Sequence, residues 1–207
     1  MKIELHCHTC RYSSCAVDTP HAMMEALVRG GYDAVFITEH DAIWTDWEIA
    51  DLQRDFPQIR IFPGVELSMG AASEHMVVLG CGDRRLLELK DPRKVVDFAR
   101  ANDCLVVLAH PYRWKGGDSM LTAGIMPDAI EYRTCNQDTA AAQIAMEAGT
   151  RLDVPLVNAS DAHSVDMVNR FWVETASPVE SASDVRRLII EKAYRNQISA
   201  REAAKAG

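Results

Sequence analysis

Ile3-Glu4-Leu5-His6-Cys7-His8 opens the chain with a short β-prone run that ends on two histidines spaced by one residue. The pattern recurs. Ala34-Val35-Phe36-Ile37 leads into Glu39-His40-Asp41, Gly64-Val65 into Glu66, Leu105-Val106-Val107-Leu108-Ala109 into His110-Pro111, and Leu156-Val157 into Asp161-Ala162-His163. His75 instead stands just ahead of its run, Met76-Val77-Val78-Leu79. In parallel α/β architectures, polar residues repeated at the carboxyl ends of successive strands converge on one pocket. Six of the seven histidines, together with Glu66 and Asp161, therefore read as one metal site, while His21 reads as an ordinary exposed histidine at a helix start.

Working outward, apolar β-type runs alternate with helical patterns, which predicts a mostly parallel sheet with crossover helices. The candidate strands are 3–5, 34–38, 59–62, 76–79, 105–109, 129–132, 155–159 and 171–174. Helices are expected over 20–29, behind Pro20 and before Gly30-Gly31, and over 46–56, 92–101, 138–151 and 183–195, the last from a Ser183 cap. Some seven or eight β/α units in 207 residues suit a small or distorted barrel. The irregular stretch from Pro111 to Pro127, with Gly116-Gly117, follows a ligand-bearing strand and reads as a pocket-side loop.

At 207 residues and 48% hydrophobic content the chain reads as one domain, 1–207, with 199–207 a frayed helical tail. A net charge of −8 argues against a dominant basic footprint for nucleic acid, whereas a small anionic substrate is compatible once bound cations offset the local carboxylates. No stretch matches a membrane span or a signal peptide, so a cytoplasmic location is expected. The six cysteines read as reduced thiols. Cys81 and Cys104 suit buried positions, whereas Cys7, Cys10 and Cys15 lie beside the first histidine pair without completing a cysteine cluster of their own.

In an extended chain residues two apart face the same way, so His6 and His8 can share an ion while Cys7 turns to the opposite side. The ordered set His6-Cys7-His8-Thr9, Thr38-Glu39-His40-Asp41, Gly64-Val65-Glu66, His110-Pro111 and Ser160-Asp161-Ala162-His163 resembles the motifs of the PHP (polymerase and histidinol phosphatase) superfamily, from residue 3 to about 165. The resemblance implies a distorted (β/α)7 barrel and hydrolysis of a phosphoester, with two or three divalent ions of zinc, manganese or iron. It places His6, His8, Glu66 and Asp161 on a first ion, Glu66 with His75 and His110 on a second, and His40 with His163 on a third. Glu66 and Asp161 would be the catalytic carboxylates, and a hydroxide held between ions would attack phosphorus.

Arg113, Lys115 and Arg11 follow ligand positions, and Arg113 and then Arg11 are the candidates for gripping phosphate. The chain departs from the family where Glu39 stands for the more usual aspartate and where Ser13-Ser14-Cys15 offers no carboxylate for the third ion. Cys15, Glu39 and Glu131 are thus candidate supporting groups or third-site ligands. Trp44 and Trp47 suit either core or a pocket wall. The expected substrate is a small phosphorylated molecule. A nuclease or nucleotide-processing activity, and a non-catalytic metal-stabilised module, are the alternatives.

Overall fold

The computed structural model describes residues 1–69, 74–114 and 119–204. Lys115, Gly116 and Gly117 therefore lie outside the described residues. Nine strands form one sheet in the order β7-β6-β5-β4-β3-β2-β1-β8-β9 among the described residues. They are β1 (Lys2–Cys7), β2 (Ala34–Ile37), β3 (Arg60–Met69), β4 (Glu74–Leu79), β5 (Leu105–Ala109), β6 (Ala129–Arg133), β7 (Leu156–Asn158), β8 (Phe171–Glu174) and β9 (Arg195–Ile198).

β1 to β3 run parallel, as do β5 to β7, but β4 is antiparallel to both its neighbours. That reversal explains why His75 precedes its apolar run: the start of an antiparallel strand lies at the same end of the sheet as the finish of the parallel ones. β3 is also longer than the expected 59–62, so Glu66 sits within a strand, paired with Val77, and not at a strand end.

The sheet curls into a nearly closed barrel, as expected for a PHP-type α/β fold. Its two edges meet through side chains. The Asn196 amide donates to the Leu156 carbonyl at 2.6 Å, and the Asn158 amide donates to the Gln197 carbonyl at 3.0 Å. At the other end of β1 the backbone of Cys7 bridges Ala162, with His8 N–H donating to Ala162 O at 2.9 Å. Ile3, Leu5, Phe36, Val77, Leu79, Val107, Ala129, Val157 and Val173 share one apolar cluster drawn from most of the strands.

Helices cover the outside. α1 (Pro20–Arg29) and α2 (Asp46–Asp55) pack over β1–β3, while α3 (Pro92–Ala101) and α5 (Thr139–Leu152) pack over the β4–β6 side, separated in sequence by the four-residue α4 (Ser119–Thr122). Their starts are chemically marked: Thr19 and Asp138 cap through side-chain oxygens, and Thr45 with Glu48 forms a capping box. α6 (Ala182–Ile190) is shorter than the expected 183–195 and is capped by Ser181, not Ser183, because Ser181 and Asp184 complete a capping box two residues earlier. The residues beyond it form β9, whose sequence Arg195-Asn196-Gln197-Ile198 lacks an apolar run because it pairs at a sheet edge. Ser199 then caps the four-residue α7 (Ala200–Ala203).

Gly64 occupies a tight position between β2 and β4, two residues before Glu66. A Cβ there would meet Thr38 Cγ2 at 3.0 Å and the carbonyls of Val78 and Ile37 at 3.2 and 3.3 Å. Gly64→Ala is expected to destabilise the protein by about 1–3 kcal/mol, the usual scale for overpacking against backbone, and to lower metal affinity by displacing Glu66. A denaturant titration and a metal titration of the variant check both effects.

Candidate metal centre

β1 carries a register slip between Glu4 and Cys7. The Glu4 carboxylate fills the gap, accepting N–H bonds from Ser160 at 2.9 Å and His6 at 3.2 Å. Burial raises its pKa to about 7 despite those donors. This buried carboxylate, which sequence reading passed over, tethers β1 to the Asp161 segment. His6 and His8 then face the cavity while Cys7 packs into apolar core with Met23, Met24 and Leu27.

Glu66 is the centre of the cluster. Its Oε2 lies 3.1 Å from His6 Nε2, 3.1 Å from His8 Nε2 and 3.2 Å from His40 Nδ1. Its Oε1 lies 2.6 Å from His75 Nδ1 and 2.9 Å from His110 Nε2. Asp161 Oδ1 completes the first set at 3.4 Å from His6 Nε2 and 3.3 Å from His8 Nε2. Donor atoms converge in three overlapping groups: His6, His8, Glu66 and Asp161; His40, Glu66 and His75; and His8, His40 and His163. The eight ligand candidates are thus brought together, with His40 shared between the Glu66–His75 group and the His8–His163 group.

Hydrogen bonds behind the imidazoles orient them. His6 Nδ1 donates to Glu131 Oε1 at 3.0 Å, and Glu131 Oε2 accepts from His110 N–H at 2.9 Å, so Glu131 supports two ligands from behind. His8 Nδ1 lies 3.2 Å from Ser13 Oγ, which itself donates to Glu39 Oε2 at 2.5 Å. Glu39 also receives Thr9 N–H at 3.1 Å, the Thr9 hydroxyl and Trp44 Nε1 at 3.2 Å. The longer acid therefore supports His8 through Ser13, and Ser13 also accepts His40 N–H at 3.1 Å. His163 Nδ1 donates to the Asp161 carbonyl at 3.0 Å.

With these Nδ1 atoms engaged outward, the Nε2 lone pairs of His6 and His8 face Glu66 and Asp161. Glu66 Oε2 and Asp161 Oδ1 are buried without a hydrogen-bond partner. Four electron-rich atoms a few ångströms apart, all buried, form a cavity suited to a cation, and mixed imidazole and carboxylate donors suit a divalent metal. His110 and Asp161 have φ of 28° and 49°, values that residues other than glycine rarely adopt and that mark strain held at the cluster.

Comparison with known proteins agrees with this arrangement. A model of the PHP-associated family matches residues 140–194. A two-domain protein containing a predicted PHP-like metal-dependent phosphoesterase, from Bacteroides vulgatus, superposes with a TM-score of 0.75 at 17% identity, over 96% of this chain. The chain spans 64% of that protein's length. PsfC from Pseudomonas syringae superposes at 0.69 with 19% identity, over 97% of this chain and 92% of that one. A proposed metal-dependent phosphoesterase from Bifidobacterium adolescentis gives 0.66 at 14% identity, over 92% and 96% of the two chains. No curated protein matches the sequence. The fold is the PHP fold.

Within the PHP fold the remaining candidates separate. Arg113 is partly buried with Nη1 3.7 Å from Asp161 Oδ2. Arg11 is instead engaged by Glu48, its Nε donating at 2.8 Å, and its guanidinium lies over Trp44. It has a structural partner that the sequence did not show. Cys15 is exposed and belongs to none of the converging donor groups found among the described residues. Trp44 is buried against Glu39, while Trp47 is exposed. Sequence reading also missed Ser13 as a link and Asn136, whose amide donates to Asp161 Oδ2 and to the Asp161 carbonyl, both at 2.8 Å. Only the Ser13 position, inside the first motif, carried a signal that could have flagged it.

The charges set a pH dependence for the metal-free protein. Burial works against protonation of His6, but Asp161, Glu66 and Glu131 raise its pKa well above the usual value, and carboxylates raise those of His8 and His110 too. Stability from these imidazolium ions is complete below the unfolded value of about 6.5 and is lost as pH rises through the raised folded values. Ionisation of Glu4 near 7 acts in the same direction. Burial would raise the Glu66 pKa, yet His6, His110 and His75 hold it well below the usual value, so its contribution is lost only as pH falls through that lower folded value. The melting temperature of metal-stripped protein is therefore expected to fall from about pH 6 to about pH 9. With metal bound the slope reverses, since protons compete with the ion for the same lone pairs. Parallel pH profiles with and without metal would contradict this account.

Glu39→Gln places an amide where four donors point. A loss of metal affinity of roughly 10–100-fold is expected, the scale for groups that orient a ligand from behind. A competition titration against a chelator measures it.

Proposed function

We propose that the protein is a metal-dependent hydrolase that cleaves a phosphoester, acting as a phosphatase on a small phosphorylated molecule. The observation that carries the reading is Glu66, whose two oxygens face two different sets of imidazoles. A carboxylate so placed can hold two cations roughly 3.5–4 Å apart, the spacing used for in-line displacement at phosphorus. Bound divalent ions would lower the pKa of water and draw charge from the phosphoryl oxygens. The chain itself supplies the rest.

His6, His8, Glu66 and Asp161 form the closed base of the site, all essentially buried. His40, His75 and His163 are 28%, 17% and 19% exposed, so the cluster opens to solvent on one side. An open side favours catalysis over a purely structural role, because structural metal sites are closed by protein ligands. Arg113 stands beside Asp161 and can pair in a fork with phosphoryl oxygens. Asn136 fixes the Asp161 carboxylate that Arg113 approaches. The solved structures described as phosphoesterases support this reading through their fold. The net charge of −8 speaks against a long nucleic-acid ligand. No described helix is long and apolar enough to cross a membrane.

Hydrolysis of a generic phosphomonoester is expected to disappear on prolonged chelation and to return with zinc, manganese or iron. Glu66→Gln should lower both metal content and turnover, the latter by several orders of magnitude. Arg113→Ala should retain its metal and weaken phosphate binding by about 1.5–3 kcal/mol, the scale of a charge-assisted contact. Metal analysis alongside steady-state kinetics separates the two roles, and equal metal loss in both variants would contradict them.

A further inference from the structure

A cavity of about 210 Å³ opens beyond the carboxyl end of β6, between α5 and the turn leading into β8. Its wall includes Arg133, Cys135, Gln137 and Arg170, together with two engaged carboxylates, Asp138, which caps α5, and Glu202, which pairs with Arg170. None of these belongs to the metal cluster, but the two sites adjoin. Asn136, flanked by two residues of the cavity wall, donates to Asp161. Gln137 reaches the carbonyl of Pro111, next to His110.

Two groups in this wall lack partners. Among the described residues the Arg133 guanidinium has no carboxylate partner, and its charged end rests 5.8 Å from the Tyr132 ring centre. Arg170, by contrast, is held by Glu202 at 3.7 Å and by the Asp166 carbonyl at 3.1 Å. The Gln137 amide nitrogen donates to Pro111 O at 2.7 Å, which fixes the orientation of the amide. Its Oε1 is buried with no hydrogen-bond partner. The half-buried Arg133 guanidinium is open to a ligand in the cavity, whereas the Gln137 oxygen is enclosed by protein. The complement is a ligand with an anionic group for Arg133.

We propose that this cavity is the subsite for the non-reacting part of the substrate, and that the substrate is a phosphomonoester carrying a second anionic group, carboxylate or phosphate. The inference rests on the hydrolase reading above and narrows it. Arg133 selects the substrate, while the metal cluster and Arg113 take the phosphoryl group that is cleaved.

The test compares kcat/KM of the metal-loaded protein for 3-phosphoglycerate, O-phosphoserine and fructose 1,6-bisphosphate with that for glycerol 3-phosphate, which lacks a second anion. The first two carry a carboxylate and the third a phosphate, so their order identifies the preferred anion. A preference of about tenfold or more for at least one of the three is expected, falling to within about threefold in Arg133→Ala, as suits the loss of a charge-assisted contact. Arg133→Lys should restore part of it, which a merely structural role would not do. Absence of the preference, or its survival in Arg133→Ala, overturns the subsite.

If no phosphoester is hydrolysed, the hydrolase reading fails and the subsite is judged by binding alone. Calorimetry with glycerate, which carries a carboxylate and hydroxyls but no phosphoester, should then show saturable binding that Arg133→Ala removes. No binding, or equal binding in the variant, overturns the subsite as well.

Discussion

Five imidazole nitrogens approach the two oxygens of one buried carboxylate, Glu66, and that convergence governs the rest of the structure. Buried charge and buried lone pairs are unfavourable unless compensated, so the barrel must provide either protons or a cation at its centre. The raised histidine pKa values and lowered carboxylate pKa values express the first solution. The partnerless oxygens of Glu66 and Asp161 express the second. A site that exchanges protons for metal couples folding to metal supply.

Rigidity at the centre comes from behind. Glu131 joins β6 to both His6 and His110, and Glu39 joins the second motif to the first through Ser13. Each support is a buried acid that receives donors from more than one segment, so displacement of one segment would disturb the ligands of another. Glu4 extends the same device to the backbone, replacing the bonds lost at the slip in β1. Carboxylates thus act as ligands, as orienting groups and as ties between strands, which accounts for much of the acidic charge near the site without invoking a cationic partner.

The motif order made the PHP resemblance and the ligand set legible, because ligands in this fold follow short apolar runs that local chemistry marks clearly. Four of the five main helices also begin within one residue of the expected 20, 46, 92 and 138, and the structure shows them capped by Thr19, Thr45, Asp91 and Asp138. The misjudged start was that of α6, where two serines offered a cap and only the spacing to Asp184 distinguished them. β9 escaped because an edge strand made of Arg, Asn, Gln and Ile has no alternating pattern to read.

By itself, the sequence determined which side chains are candidates for the chemistry, the α/β alternation and the strand-end placement of most of those candidates, since these follow from residue type and short-range spacing. Tertiary structure decided what spacing cannot encode: that β4 runs antiparallel and brings His75 beside Glu66, and that Arg11 is engaged by Glu48 while Arg113 stands free to approach Asp161. It also decided that Ser13 and Asn136 reach Glu39 and Asp161, partners 26 and 25 residues away in sequence. Such contacts depend on strand order and on the curvature of the sheet. Those are properties of the closed barrel as a whole, and no local pattern of residues specifies them.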